Sequence, residues 1–188
     1  MARTRSRRRV RRFIEPMNHL YDSHRDIRHF LAVIADALQQ TGGAALTPTQ
    51  WYDLAVAIIY FETEAVTHTA DEEKSVFPRL RASRDTAARV MVHQIAKLKR
   101  EHREAGRRLR AVNALLRRWL ANGALQATDA RYLRRHVTAV QAIFTRHFAC
   151  EDEELFPLAR RIFSMHQIRE IEQEMVARRT GGAHPQLF

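Results

Sequence analysis

His68-Thr69-Ala70-Asp71-Glu72, followed by Phe77-Pro78, is matched later in the chain by His147-Phe148-Ala149-Cys150-Glu151, followed by Phe156-Pro157. The pairs His68/His147, Glu72/Glu151 and Phe77/Phe156 all stand 79 positions apart. A lone histidine precedes each copy: His24, with Ile27 and Leu31 after it, and His102, with Ala105 and Leu109, 78 positions apart. The chain therefore reads as two helical hairpins of one plan, each bringing two histidines and one carboxylate. Together they form a ligand set for a pair of metal ions.

Punctuation along the chain supports that plan. A first helix is expected from about Pro16 to Gln40, stopped by Gly42-Gly43. Thr47-Pro48 reads as N-cap plus first-turn proline of a second helix, which runs through His68 and Glu72 and ends or kinks near Pro78. A third begins near Ser83 or Asp85 and ends at Asn122-Gly123. Thr128-Asp129 is expected to cap a fourth, which runs through His147 and Glu151 to Pro157. A fifth amphipathic segment spans about 159–179. The expected fold is all-α: an up-down-up-down four-helix bundle with an extra C-terminal helix. Its expected parts are a basic disordered arm (1–15), the bundle (16–160), the C-terminal helix (161–180) and a disordered tail (181–188).

Apolar residues in each helix step by three and four, the period of one buried face. The first stripe is Leu20, His24, Ile27, Leu31, Ile34; the second is Ile58, Phe61, Ala65, His68, Glu72. The third and fourth carry His102 between Leu98 and Ala105, and His147 and Glu151 beyond Val140 and Phe144. The polar residues thus occupy apolar positions and point inward. Each histidine lies roughly 16 to 20 residues from the loop joining its hairpin, so at about 1.5 Å per residue antiparallel helices place all four at one level.

Burying six such side chains is costly without compensation, about 1–3 kcal/mol for each unsatisfied group. Two cations convert the imidazole nitrogens and carboxylate oxygens into ligands. Nitrogen and oxygen ligation without thiolate suits iron or manganese, and zinc less well. A single HxxxE phrase is common on solvated helices, and a lone core histidine is usually just hydrogen-bonded. Two copies in register, each with its own preceding histidine and following Phe-Pro, are not explained that way.

The bulk properties set the frame. The 188 residues suit one domain, with 45% hydrophobic residues and only 6 Gly and 5 Pro. The single cysteine, Cys150, precludes an intrachain disulfide and points to a reducing, cytoplasmic setting. No apolar run approaches the roughly 18 residues of a membrane span. The basic N-terminus lacks an apolar core after its arginines, so a secretory signal is not expected. Residues 1–12 hold seven arginines and no acid; the rest of the chain carries only +4 of the net +11. A solubilising tail is the favoured reading of that arm, because no aromatic residue interrupts the arginines before Phe13. Contact with nucleic acid or an anionic membrane surface is the alternative.

With these motifs, residues 17–160 resemble the hemerythrin-like, HHE cation-binding domain proteins, a group that includes oxygen carriers and iron-cluster repair proteins. The resemblance implies a non-haem di-iron centre whose metal ligands are His24, His68, Glu72, His102, His147 and Glu151. Oxygen-carrying members add a further histidine four residues after the one matching His102, where this chain has Gly106. Carriage of oxygen in their manner is therefore not expected, and water or Glu64, one turn before His68, is the candidate to complete the coordination. Glu73 and Glu153 turn off the seam and are expected at the surface. Cys150 is read as small filler, and His19, His29, His93, His136, His166 and His184 as surface or packing residues.

The function expected is binding or sensing of a small oxidant (dioxygen, peroxide or nitric oxide). The alternatives are a di-iron enzyme turning over peroxide or nitric oxide, and an iron storage or donation protein. No separate acid, base or nucleophile stands out, which argues against a hydrolase.

Overall fold

The structure is a computed structural model and describes residues 15–181. Residues 1–14 and 182–188, nearly all of the expected arm and tail, lie outside the described residues. Among the described residues every regular element is helical.

Helix α1 (Pro16–Thr41) opens with Glu15 accepting from the Asn18 N–H and with Pro16 in its first turn, and closes on Gly42 at φ 63°. A capping box, Thr47 with Gln50, starts α2 (Pro48–Glu62). After Thr63 the chain continues as α3 (Glu64–Asp71), a π-helical turn (Glu72–Val76) and α4 (Phe77–Ala82). Asp85 accepts from two backbone N–H groups to start α5 (Thr86–Asn122), which ends at Gly123, φ 73°. Helix α6 (Ala127–Cys150) leads into a second π-helical turn (Glu151–Leu155) and α7 (Phe156–Ile162); α8 (Met165–Gly181) follows.

The start of α6 differs from expectation. Gln126 holds the N-cap position without a side-chain cap bond. Asp129 instead sits in the first turn, where a carboxylate favours the positive helix end, and pairs with Arg118 at 2.8 Å. The segment expected as one helix over 159–179 is broken at Phe163-Ser164. There Ser164 and Gln167 exchange side-chain and backbone hydrogen bonds, a local signal that opens a new helix.

The two π turns explain why Phe-Pro recurs at a fixed distance. Proline lacks an N–H and its ring crowds the carbonyl four residues back. In each copy the turn just before it is widened, so Phe77 donates to the Glu72 carbonyl and Phe156 to the Glu151 carbonyl. The helix absorbs the proline without ending, and both widened turns begin on a buried glutamate.

Helix α1 packs on α2 and α6, and α5 packs on the same two helices. The glycine end is pinned by Leu125 N–H donating to the Gly43 carbonyl (2.8 Å) and by the buried Trp119 indole donating to the Ala44 carbonyl (2.9 Å). The buried apolar residues fall into two clusters. One contains Ile27, Ala65, Ala105 and Phe144; the other contains Leu20, Val76, Leu98 and Leu155. On α1, α5 and the two helices with π turns, the inward histidines lie between those two sets. A polar layer therefore divides the core.

Helix α8 covers the second cluster with Ile168, Ile171 and Met175 and packs on α1, α3 and the first π turn. Its last turns carry Arg178 and Arg179, which reach Asp71 at 2.6 and 2.7 Å. Glu174 accepts from Ser75 and pairs with Arg79 at 2.8 Å.

Candidate metal centre

The polar layer gathers all six residues singled out in the sequence. His24 comes from α1, His68 from α3, Glu72 from the first π turn, His102 from α5, His147 from α6 and Glu151 from the second π turn. Five are at most 2% exposed and His102 is 8% exposed. Two groups are close enough to hold an ion each: His24, His68 and Glu72, and Glu72, His102, His147 and Glu151, with the donor atoms of each group within 4.8 Å of one another.

Glu72 belongs to both groups. Its Oε1 faces His68 Nε2 at 3.3 Å and His24 Nε2 at 3.7 Å, while its Oε2 faces His102 Nε2 at 3.2 Å. Glu151 Oε2 lies 3.2 Å from His147 Nε2 and 3.3 Å from His24 Nε2. Each carboxylate therefore reaches histidines from both hairpins, as a bridging ligand would.

Satisfaction of hydrogen bonds tests whether a cation fits. The Nε2 atoms of His24, His68 and His147 and both oxygens of Glu72 and Glu151 are buried without a hydrogen-bond partner. Buried polar atoms are rarely left so. That the orphaned atoms are lone-pair donors and all face one another is what a cation site requires.

The hemerythrin HHE cation binding domain matches residues 15–159 of the 188. The chain belongs to that family. It is also similar to an uncharacterized protein of Haemophilus influenzae, 27% identical over 169 residues, which span 88% of this chain and 90% of that protein.

Around the six, this HHE domain holds its histidines from behind. Asp152 Oδ1 meets His24 Nδ1 at 2.7 Å, Glu73 Oε1 meets His102 Nδ1 at 2.9 Å, and Glu101 Oε2 meets His147 Nδ1 at 3.0 Å. A carboxylate on Nδ1 fixes the tautomer that presents Nε2 to the centre and makes it a better donor. Glu73, expected at the surface, is thus corrected: it pairs with His102 and, at 3.0 Å, with Lys99. Asp152 and Glu101 were missed. The signal was present, since Glu73 and Asp152 directly follow the two inward glutamates and Glu101 directly precedes His102.

His68 differs from the other three, because its Nδ1 has no partner. Ser23 occupies, in the first hairpin, the place of Glu101 in the second, and its hydroxyl donates to the His19 carbonyl instead. The two halves are therefore inequivalent. Glu64 does not approach the cluster; it pairs with Arg179 at 3.5 Å. Cys150 packs at the edge of the second core cluster, and burial pushes its thiol up to about 11, which suits a filler rather than a nucleophile. His29, His93 and His166 are exposed. His19 and His136 are half-buried, and His184 lies outside the described residues.

Protonation follows from these contacts. Burial pulls the His24 imidazole down, but the Asp152 carboxylate on its Nδ1 and the negative charges of Glu151 and Glu72 facing its Nε2 carry it up to about 10. His102 is carried to about 10 against the same desolvation by Glu72 and Glu73. For His68 desolvation wins, and the ring falls to about 4. Glu72 and Glu151 resist the upward push of burial and are held low by the surrounding histidines. Without metal, two imidazolium ions thus offset the two glutamates.

Proton release on metal loading should report this state. Near pH 7 His24 and His102 carry protons that ligation must expel, so about two protons should leave per chain loaded. Metal affinity should rise with pH toward 10. In the metal-free fold, the raised histidines stabilise fully below pH 6.5 and lose that contribution as pH climbs through about 10. The lowered His68 contributes above 6.5 and loses its share as pH falls toward 4. Calorimetry in buffers of different ionisation enthalpy counts the protons, and a count near zero would refute the assignment.

Where the oxygen carriers place their additional histidine, this chain leaves space. A Cβ added at Gly106 would meet only the tip of Arg110, at 3.8 Å. Gly106, His68 and His102 line a cavity of about 590 Å³ that opens between α3 and α5.

Proposed function

We propose that this chain is a non-haem di-iron protein that binds or senses a small oxidant: dioxygen, peroxide or nitric oxide. His24 and His68 would serve one ion, His102 and His147 the other, and Glu72 and Glu151 would bridge them. The observation that carries this reading is the ring of mutually facing, orphaned buried donors. Mixed nitrogen and oxygen ligation favours iron, with manganese next and zinc last. An iron pair supplies one-electron redox chemistry and open coordination positions for such a ligand.

The chain's own residues do the rest. Asp152, Glu73 and Glu101 orient three of the imidazoles. Phe148 stacks on the His24 ring (3.8 Å between centroids) and excludes water from that side. The space at Gly106 gives a small molecule a path to the His68 and His102 side.

The same reading extends to architecture. Residues 16–160 would form an up-down-up-down bundle, in keeping with the closed ring of contacts among α1, α2, α5 and α6. The C-terminal helix expected over 161–180 would correspond to α8, Met165–Gly181. With one cysteine no intrachain disulfide can form, in keeping with a cytoplasmic setting. No described helix is long and apolar enough to cross a membrane.

Metal analysis of protein made in iron-supplemented cells tests the centre, and about two irons per chain is the expected result. Little metal in a well-folded protein would overturn it. Addition of dioxygen, peroxide or nitric oxide to protein reduced under anaerobic conditions should then change the visible spectrum. Multiple turnovers of peroxide, in place of a single spectral change, would favour the enzyme reading.

A further inference from the structure

The cavity beside the cluster is too large for the ligands proposed above. At about 590 Å³ it equals roughly twenty water volumes, whereas a small oxidant has two or three heavy atoms. Its size is that of sites holding organic molecules. Its walls are apolar: Ile27, Phe61, Ala65, Leu109, Phe144 and Phe148. Such a surface is poorly served by water, and an apolar occupant would replace it favourably.

The mouth has different chemistry. Of the polar residues that line the cavity, Glu62, Arg110 and Arg117 are exposed at its opening, and Asn113 lies deeper. Arg117 is already paired with Glu62 at 2.5 Å. Arg110 is exposed and has no carboxylate partner among the described residues, so the mouth carries an uncompensated positive charge. One turn further along α5, Asn113 is 6% exposed; its amide donates to Glu62 at 3.4 Å, and its Oδ1 has no partner. That oxygen accepts only, so it asks for a hydroxyl or N–H donor. Arg110 stands three residues before Asn113 on the same face of α5, and its exposed guanidinium, which rests over Gly106, is on a side chain long enough to swing to the acceptor's side.

We propose that the cavity binds an amphiphilic carboxylic acid carrying a hydroxyl near its carboxylate. The carboxylate pairs with Arg110, the hydroxyl donates to Asn113 Oδ1, and the aliphatic chain runs inward toward His68 and His102. The site stands on the cavity and its mouth, so it does not require the identity of the metal.

Titration calorimetry of the metal-loaded full chain with 3-hydroxydecanoate tests it, with Kd expected on the order of micromolar. Decanoate, lacking the hydroxyl, should bind several-fold more weakly, and decyltrimethylammonium should not bind. Arg110→Ala should weaken binding about tenfold. Gly106→Leu adds a side chain at a cavity-lining helical position where a Cβ meets only the flexible tip of Arg110, so it should fold normally, which circular dichroism checks, and abolish binding. Equal affinity for the cationic amphiphile, or full affinity in either variant, overturns the proposal. The titration is repeated on chelated protein that remains helical. Binding there with no metal recovered from the original preparation would leave the cavity reading standing and remove the di-iron one. No binding in protein holding two irons would do the reverse.

Discussion

Glu72→Ala is expected to leave the protein with almost no bound metal, against about two ions per chain in the parent. Glu72 is the one side chain common to both groups of donors, with one oxygen toward His24 and His68 and the other toward His102. Its loss therefore removes a donor from each group and leaves Glu151 as the one inward carboxylate facing both hairpins. Bound metal stabilises the folded state by its binding free energy, about 4 kcal/mol when free metal stands a thousandfold above Kd. In a chain of this length that corresponds to a fall in Tm of roughly 10 °C relative to the loaded parent. The metal-free variant loses further, because the raised histidines lose a principal acceptor. His147→Ala should show the same metal loss. His136→Ala, half-buried and away from the cluster, should change neither metal content nor Tm. Equal metal in all three variants, measured by elemental analysis, would end the ligand assignment.

Asp71→Ala should destabilise the protein by about 3 kcal/mol, the lower end of what removing one partner of a buried ion pair costs. Asp71 is fully buried and meets two guanidinium groups, Arg178 at 2.6 Å and Arg179 at 2.7 Å. Burial pushes its carboxyl up, and only those arginines pull it back. Without it, Arg178 loses its ion-pair partner and Arg179 keeps only Glu64 at 3.5 Å, although each keeps about a fifth of its surface in water (21% and 23%). That residual hydration is why the lower end applies. The expected fall in Tm is about 6–12 °C. Asp71 directly precedes Glu72, so α8 is tied to the turn that carries the carboxylate common to both donor groups. Urea unfolding with metal removed isolates this contribution, and a change below about 1 kcal/mol would show that α8 is held by its apolar face alone.

The inward positions of His24, His68, Glu72, His102, His147 and Glu151 were legible because helical period and loop distance are local properties of a sequence. Spacing by three and four assigns a face, and residue counts from a shared loop assign a height. The glycines of the Gly42-Gly43 and Gly123 stops and the Thr47-Pro48 helix start are equally local, and they fall where expected. Less legible were the two π turns: Phe-Pro signalled an interruption, yet nothing local says that a proline is absorbed by a widened turn rather than ending the helix. The Ser164–Gln167 box that divides α7 from α8 was readable as a pattern but lay inside a longer amphipathic stretch that masked it.

What the sequence by itself determined is therefore the set of polar side chains that must share one buried layer. Tertiary structure alone decided the pairing within it. Glu73 holds His102, Asp152 holds His24 across 128 positions, and Glu64 turns away to Arg179. A carboxylate one residue from a ligand sits about 100° round the helix, at the margin between solvent and seam. Which way it turns depends on whether a neighbouring helix brings an imidazole N–H within reach, and that is fixed only when the helices pack.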